Sequence, residues 1–568
     1  MRDLCQLAAQ DLERARSIER ELSVHPLVAR VLSARGVGSA EQAKALLHPR
    51  LATLTPPEAM LDREAAATRI AEAIVANQRI VVFGDYDVDG ATSASLAYSA
   101  LSELGGEIVP HIASRFDGGY GFSDAAADRV LASKPTLVIT FDCGTSDHER
   151  LFRLKKLGID TIVVDHHKVP DEPLPAVAFL NPNRPDCGFP FKGLASVGLA
   201  LSLIGAVRNK LGKKLDLREY LDLVAVGTIA DVAPLSGDNR TLTRAGLDRL
   251  AEGKGRPGLS ALLAMAKLRA KPRAFDVGFS IAPMLNAPGR MGSAEPSLRL
   301  LNARTPTEAK ALAQILAVSN EERRRVSQHL CDEALAQVAA LNGGDIPAGV
   351  VAAGDGWHHG VGGIVAARLV DRFQKPSVVI AIQKGEGVGS ARAPRGFPLF
   401  DAISACSEYL TRYGGHDAAA GLSMRAENVD AFRLKFAEIC QSFLDSGRSI
   451  KPTLQADTEL TASDLKGPLV RDLGLLEPTG QAWTETSVLV QEARLESVRL
   501  VGINHLRGQA RIANSLINVF IRDGVGCRER GDFSLAENKP MQIVAKLRPD
   551  SFAGPEAVQL DITATRPL

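Results

Sequence analysis

Cysteine is scarce and scattered. The seven thiols, at positions 5, 143, 187, 331, 406, 440 and 527, form no CxxC pair, which argues against a zinc ribbon or a disulfide framework and fits a reducing compartment. An excess of charge of one sign is also lacking: 67 Lys and Arg stand against 66 Asp and Glu, so any surface for a polyanion must be local. Aromatic residues make up only 5% of the chain. No apolar run reaches the ~18 residues a membrane span needs. The start, MRDLCQLAAQDLERARSIER, carries acids where a signal peptide has its apolar core, so a cytoplasmic protein with no membrane partner is expected. Internal repeats and low-complexity tracts are absent as well.

What is present is ordinary globular composition, 45% hydrophobic and 23% charged, over 568 residues. That length is about three to four times a typical domain of ~150 residues, so more than one core is expected. From 58 to 165 the pattern alternates between helix and strand: RIVVFG, EIVPHI, TLVITF and TIVV are strands separated by amphipathic helices. Such alternation predicts a parallel sheet covered on both faces, with ligands beyond the carboxyl ends of its strands. Residues 193–268 read as mostly helical, and 307–341 as one long charged helix stopped at Asn342-Gly343-Gly344. A second α/β region spans about 347–445, with strands GVVAAG, SVVIAI and GVGSARA. From about 453, short β-like runs predict a small barrel.

The strand RIVVFG runs directly into Gly84-Asp85-Tyr86-Asp87-Val88-Asp89-Gly90. Three carboxylates within five residues repel one another unless a cation or helix-start donors neutralise them. A plainer reading makes Asp89 a helix N-cap and leaves Asp85 and Asp87 as solvated turn acids. Recurrence favours the cation. TLVITF delivers Asp142, TIVV delivers Asp165-His166-His167, and YLDLVAVGTIAD, helix or strand, ends at Asp231. A parallel sheet would gather these groups along one edge. Oxygen ligands with an imidazole and no thiolate suit Mn²⁺ or Mg²⁺, with Cys143 expected to be a packed thiol rather than a ligand to a soft metal. The acids exceed the needs of one ion, so two ions sharing a carboxylate is the natural arrangement, and such sites hydrolyse phosphate esters.

The set GDYDVDG, DCG, DHH and GTIAD, in this order, resembles the DHH phosphoesterase superfamily. The stretch 286–290 (NAPGR), GWHHGVGGIVAARL, GSARA and GGHDAAAG narrow the resemblance to its bacterial exonucleases specific for single strands. The fold it implies is two α/β domains joined by a long helix, plus a C-terminal OB-like β-barrel. In residues, that is an N-terminal helical segment 1–57, a DHH domain 58–306, a connecting helix 307–341, a DHHA1 substrate-binding domain 342–450 and an OB-like nucleic-acid-binding domain 453–568. The gap between the two α/β domains is expected to be too narrow for duplex.

The implied activity is metal-dependent 5′-to-3′ hydrolysis of single-stranded DNA to nucleoside monophosphates, in repair and recombination. Two Mn²⁺ or Mg²⁺ ions would be held by Asp87, Asp89, Asp142, His166 and Asp231, with Asp85 close by and Asp142 as the bridge. His167 would face the scissile phosphate and Asp165 would orient the imidazoles. Arg115, Ser390, Arg392, Gly415 and His416 would hold phosphates, the 5′-terminal one among them. GGHDAAAG taken alone reads as a Gly-rich loop before a helix. His358 either caps a helix or approaches the strand. Asn286 and Arg290 either bind the strand or brace the domain interface; Pro283, Pro288 and Gly289 mark an ordered loop there, which favours binding.

Residues 494–530 hold seven Arg against three acids, which suits backbone contacts or a merely solvated face. The segment LEPTGQAW, 476–483, departs from the resemblance, and few aromatics point to phosphate contacts over base stacking. The family also implies a single-strand-binding protein and a helicase as partners. Two rival readings are a related phosphodiesterase acting on short oligoribonucleotides or cyclic dinucleotides, and a non-catalytic strand-binding scaffold.

Overall fold

The structure is a computed structural model that describes residues 5–117, 121–268, 271–341, 345–446, 454–502, 504–529, 538–550 and 552–568. The chain forms two compact units, one of residues up to 316 together with 454 onward, the other of 317–453.

In the first unit the short apolar runs become a five-stranded, wholly parallel sheet in the order Glu107–Ile112, Arg79–Gly84, Leu137–Phe141, Asp160–Val164, Ala178–Leu180. Near-continuous β-branched sequence suits strands buried on both faces, and alternate residues feed two cores. Ile80, Val82, Ile139, Ile162 and Val164 join one, with the helices Arg63–Val75, Val88–Glu103, Ser196–Leu211 and Leu221–Ala230. Val81, Phe83, Val138 and Val163 join the other, with Phe122, Leu151 and Leu154. The edge strand Ala178–Leu180 was not foreseen; three residues among prolines carry too little pattern.

Two sequence expectations are corrected. The ordered loop expected around Asn286 and Arg290 is a helix, Ala282–Met291, with Pro288 inside it. Burial of Met284, Leu285, Ala287 and Pro288 outweighs the backbone bond a proline forfeits. In the second unit GGHDAAAG is not a loop before a helix. It forms the antiparallel strands Arg412–His416 and Ala419–Arg425, with Ala420, Leu422 and Met424 buried at strand periodicity.

The segment 454–568 closes as a barrel: Ser487–Val501, His505–Ile512, Ser515–Ile521, Val558–Pro567 and Met541–Pro549, the last pairing back onto the first. It does not have its core to itself. Ile18, Leu27, Val31 and Leu32 of the N-terminal helices lie in one cluster with Val488, Val490, Ile543 and Leu560. Gln6–Leu7 pairs in parallel with Gln455–Ala456, and Arg35 clasps Asp457 through two bonds of 2.9 and 2.8 Å. The divergent segment 476–483 buries Leu476, Pro478 and Trp483 and exposes Gly480, Gln481 and Ala482. The carbonyls of Leu476, Glu477 and Pro478 accept from the buried Arg240 guanidinium, and Trp483 Nε1 donates to Leu476 O at 2.9 Å.

The second unit holds a five-stranded mixed sheet in the order Arg412–His416, Ala419–Arg425, Glu386–Arg392, Ser377–Gln383, Val350–Asp355, in which the last two strands are parallel. The long helix is Pro306–Leu341, and Gln337 and Glu333 on it bond Ala353 and Trp357. Its expected stop at Asn342-Gly343-Gly344 lies outside the described residues. Among the described residues no helix is long and apolar enough to cross a membrane.

Candidate metal centre

The loop after Arg79–Gly84 turns at once into the helix Val88–Glu103, and Gly90 makes that turn possible: a Cβ there would lie 2.4 Å from the Asp85 carbonyl oxygen. Asp87, not Asp89, is the N-cap, accepting from Gly90 N–H at 3.0 Å. Asp89 is instead fully buried, its carboxylate taking the first N–H groups of the helix Ser196–Leu211, from Ser196 at 2.7 Å and Val197 at 3.0 Å. The plainer reading of this loop therefore fails at Asp89, which is not the cap, and at Asp85, which is buried rather than solvated.

Asp142, at the end of Leu137–Phe141, sits at φ 61°, a left-handed conformation aspartate tolerates. Its N–H reaches Val164 O at 3.0 Å and Ser196 Oγ at 2.9 Å. Asp231 arrives from the C-terminal end of Leu221–Ala230. That helix approaches closely because residue 227 is glycine, where a Cβ would stand 2.3 Å from Thr92 Oγ1 and 3.1 Å from Asp89 Oδ1.

The result is convergence. Ligand atoms of Asp85, Asp87 and Asp142 lie within 4.8 Å of one another, as do those of Asp89, His166 and Asp231, and those of Asp142, His166 and His167. His166 Nε2 stands 3.2 Å from Asp142, 3.8 Å from Asp231 and 3.9 Å from Asp89. Burial first, and then the neighbouring carboxylates, push the Asp85, Asp89 and Asp142 carboxyls well above their usual range. Buried carboxylates gathered this closely are a donor set for cations, and two groups meeting at Asp142 fit two ions sharing one ligand.

Asp165 behaves differently. Burial opposes its charge, yet bonds from His167 Nδ1 at 2.7 Å and from the backbone N–H groups of His166, His167 and Thr145 hold its carboxyl well below the usual range. Burial likewise disfavours the His167 cation, but Asp165 outweighs it and pushes the imidazole up to about 9. The carbonyls of His167 and His166 accept from the side-chain amides of Asn181 and Asn183 at 2.9 and 2.6 Å. Ser196, Asn181 and Asn183 carry no local signal in the sequence, because the backbone groups they bond are brought close only by folding. Cys143 is a packed thiol, fully buried, with burial pushing it up.

Beside the loop, the Arg115 guanidinium lies 4.1 Å from the Tyr86 ring centroid, and its buried Nε has no hydrogen-bond partner among the described residues. The helix carrying Asn286 and Arg290 meets the loop at Gly289, where a Cβ would be 3.3 Å from the Tyr86 carbonyl oxygen. In the second unit, Ser390 and Arg392 lie on one strand beside Gly421 and Ala419, and Ala419 and Ala420 pair with His416 and Gly415. The helix His359–Phe373 begins over them: a Cβ at Gly363 would be 2.9 Å from Arg392 Nη2. His358 caps that helix, its Nδ1 accepting from Gly360 N–H at 3.2 Å.

A strand-edge cluster of acids and histidines on a parallel sheet, followed by a second α/β unit, defines a DHH-class protein. Residues 79–228 match the family model "DHH family, N-terminal domain", 346–442 match "DHHA1 domain" and 456–564 match "RecJ OB domain". The Escherichia coli single-stranded-DNA-specific exonuclease RecJ is 35% identical over 531 residues, covering 89% of this chain and 90% of that protein. The Bacillus subtilis protein of that name is 37% identical over 508 residues, and the aligned part spans 89% of this chain but only 63% of that protein's length. A crystal structure of Thermus thermophilus RecJ with Mn²⁺ superposes with a TM-score of 0.81 at 28% identity, covering 99% of this chain and 79% of that one. Its Mg²⁺ counterpart gives 0.75 at 27% identity, covering 99% and 78%. The chain belongs to the RecJ family.

Proposed function

We propose that this chain is a metal-dependent exonuclease that degrades single-stranded DNA from its 5′ end, hydrolysing phosphodiester bonds to release nucleoside 5′-monophosphates. The observation that carries this reading is the convergence of Asp85, Asp87, Asp89, Asp142, His166 and Asp231 at one sheet edge, in a member of a family whose relatives bear that name. These six side chains would hold two Mn²⁺ or Mg²⁺ ions, with Asp142 shared. When bound, the ions supply charge neutralisation at the phosphoryl group and a water acidified for attack.

The chain's own groups supply the rest. Asp165, bonded to His167 Nδ1 at 2.7 Å, fixes the orientation of the imidazole, which would face a phosphoryl oxygen as negative charge builds. Arg115, Ser390, Arg392, Gly415 and His416 would hold phosphates, the 5′ terminus among them, with Asn286, Arg290 and His358 as further contacts to the strand. In this reading residues 58–306 do the chemistry, 342–450 hold the strand and 453–568 bind nucleic acid. A cytoplasmic location agrees with cysteines that are few, scattered and without a CxxC pair. Action in repair and recombination, alongside a single-strand-binding protein and a helicase, completes the reading.

Digestion of end-labelled single-stranded and duplex DNA and RNA, with and without Mn²⁺, tests it. Immediate release of labelled mononucleotide from 5′-labelled single strands, with duplex resistant, is expected. Attack from the 3′ end, or turnover confined to dinucleotides, would overturn it.

A further inference from the structure

One pair of aromatic side chains is left unused by this mechanism. Phe275 and Phe279 stack with centroids 4.5 Å apart and planes 26° from parallel, the second on a π-helical turn, Val277–Ile281, a distortion frequent at functional sites. Phe279 is 61% exposed, in a chain poor in aromatics. Two guanidinium groups border the stack. The Arg522 guanidinium lies 6.0 Å from the Phe275 centroid and 5.8 Å from that of Phe279, and Arg548 lies 4.7 Å from Phe275. Arg548 is itself held by Glu485 at 2.5 Å and Asp561 at 2.6 Å, so the stack rests on a fixed base.

The platform is tied to the metal centre at two points. Gly278 packs against Ile229, two residues before Asp231, a Cβ there standing 3.7 Å from Ile229 Cγ2. The helix that follows runs to Gly289 against Tyr86 of the acidic loop. On its other side Arg522 continues the outer face of the barrel strand Ser515–Ile521, where Ile517, Val519 and Ile521 point inward. Arg507 pairs with Phe520 on that face and lies 5.7 Å from the exposed ring of Phe552.

We infer that Phe279, backed by Phe275 and flanked by Arg522, is a stacking station for a nucleobase of the strand whose scissile phosphate lies at the metal centre. This rests on the exonuclease reading and deepens it. A flat π-face beside the Arg522 guanidinium suits a base and its phosphate, whereas an apolar protein partner would have to desolvate that guanidinium. Phe279 is a positioning residue: it holds the strand and does not touch the reacting atoms.

The test compares wild type with Phe279→Ala, Phe279→Trp and Arg522→Gln in the full chain. With chelator present, anisotropy reads the binding of 5′-phosphorylated oligodeoxynucleotides of about 20 and about 3 nucleotides. Loss of the ring should weaken the long oligomer about tenfold and leave the short one unchanged, and tryptophan should restore it. Arg522→Gln should weaken the long oligomer too, and more so at low salt than at high. With Mn²⁺, KM on long strands should rise while kcat holds. Unchanged affinity for long strands in Phe279→Ala, or an equal loss for both lengths, overturns the inference even where wild type degrades DNA as proposed. A wild type that releases no mononucleotides from any strand fails the exonuclease reading itself, and the station falls with it.

Discussion

The backbone N–H of Ser196 is donated to the Asp89 carboxylate at 2.7 Å while the Ser196 hydroxyl accepts the N–H of Asp142 at 2.9 Å. One residue thus fixes two candidate ligands that are 53 positions apart in the sequence, and its hydroxyl also donates to Val164 O, the last residue of the strand before Asp165. Ser196→Ala removes the hydroxyl bonds and spares the N–H. Titration calorimetry with Mn²⁺ should show affinity reduced about 10- to 100-fold with circular dichroism unchanged. Wild-type affinity would mean the hydroxyl does not position Asp142.

Asp142→Asn should abolish hydrolysis at saturating Mn²⁺. The same change should raise the melting temperature measured in chelator, because it removes one of several buried carboxylates that repel one another. The gain should be about 1–3 kcal/mol. Retained turnover would refute a bridging role, and a lower melting point would refute the repulsion.

Stability of the metal-free protein should depend on pH in an unusual sense. Asp85, Asp89, Asp142 and Asp231 carry carboxyls raised above the ordinary 3.8, and His167 is raised to about 9 from 6.5. Each contributes stability that is complete below its unfolded value and lost as pH rises through its folded value. Asp165, held low, has the opposite sign, its contribution being lost as pH falls. Within the centre the five raised groups outweigh the one held low, so the part of the melting temperature in chelator that Asp142→Asn flattens should decline from about pH 5 to about pH 9. Mn²⁺ should reverse that slope, and calorimetry in buffers of different ionisation enthalpy should register protons released on binding.

Arg392→Ala should weaken engagement of the substrate more than it slows the chemical step. Steady-state kinetics on 5′-phosphorylated strands should show KM rising about tenfold with kcat within about twofold, and the loss should shrink on strands ending in a 5′-hydroxyl. Equal effects on both ends would remove Arg392 from the terminal-phosphate site.

Much of the centre was legible because its acids and histidines follow apolar strands rich in β-branched residues, as at Arg79–Gly84, Leu137–Phe141 and Asp160–Val164. The brackets behind them were not. Ser196, Asn181 and Asn183 act through backbone groups brought close only by folding, and no local spacing announces that. Proline and glycine misled at Asn286 and Arg290, where tertiary burial outweighed local preference, and glycine hid the strand pair at Arg412–Arg425, whose alternation resumes only after Asp417. The plainer reading of the acidic loop placed the cap two residues late, at Asp89 instead of Asp87.

The pairing of Gln6–Leu7 with Gln455–Ala456 sets a timetable for biosynthesis. The helices Leu12–Leu22 and Pro26–Ala34 emerge from the ribosome early, but the apolar surface that covers them is not made until some 450 residues later. At 5–20 residues per second that is a wait of about 20–90 s with Leu27, Val31 and Leu32 lacking their final cover. The N-terminal helices therefore reach their native packing only once residues 454–568 have been made.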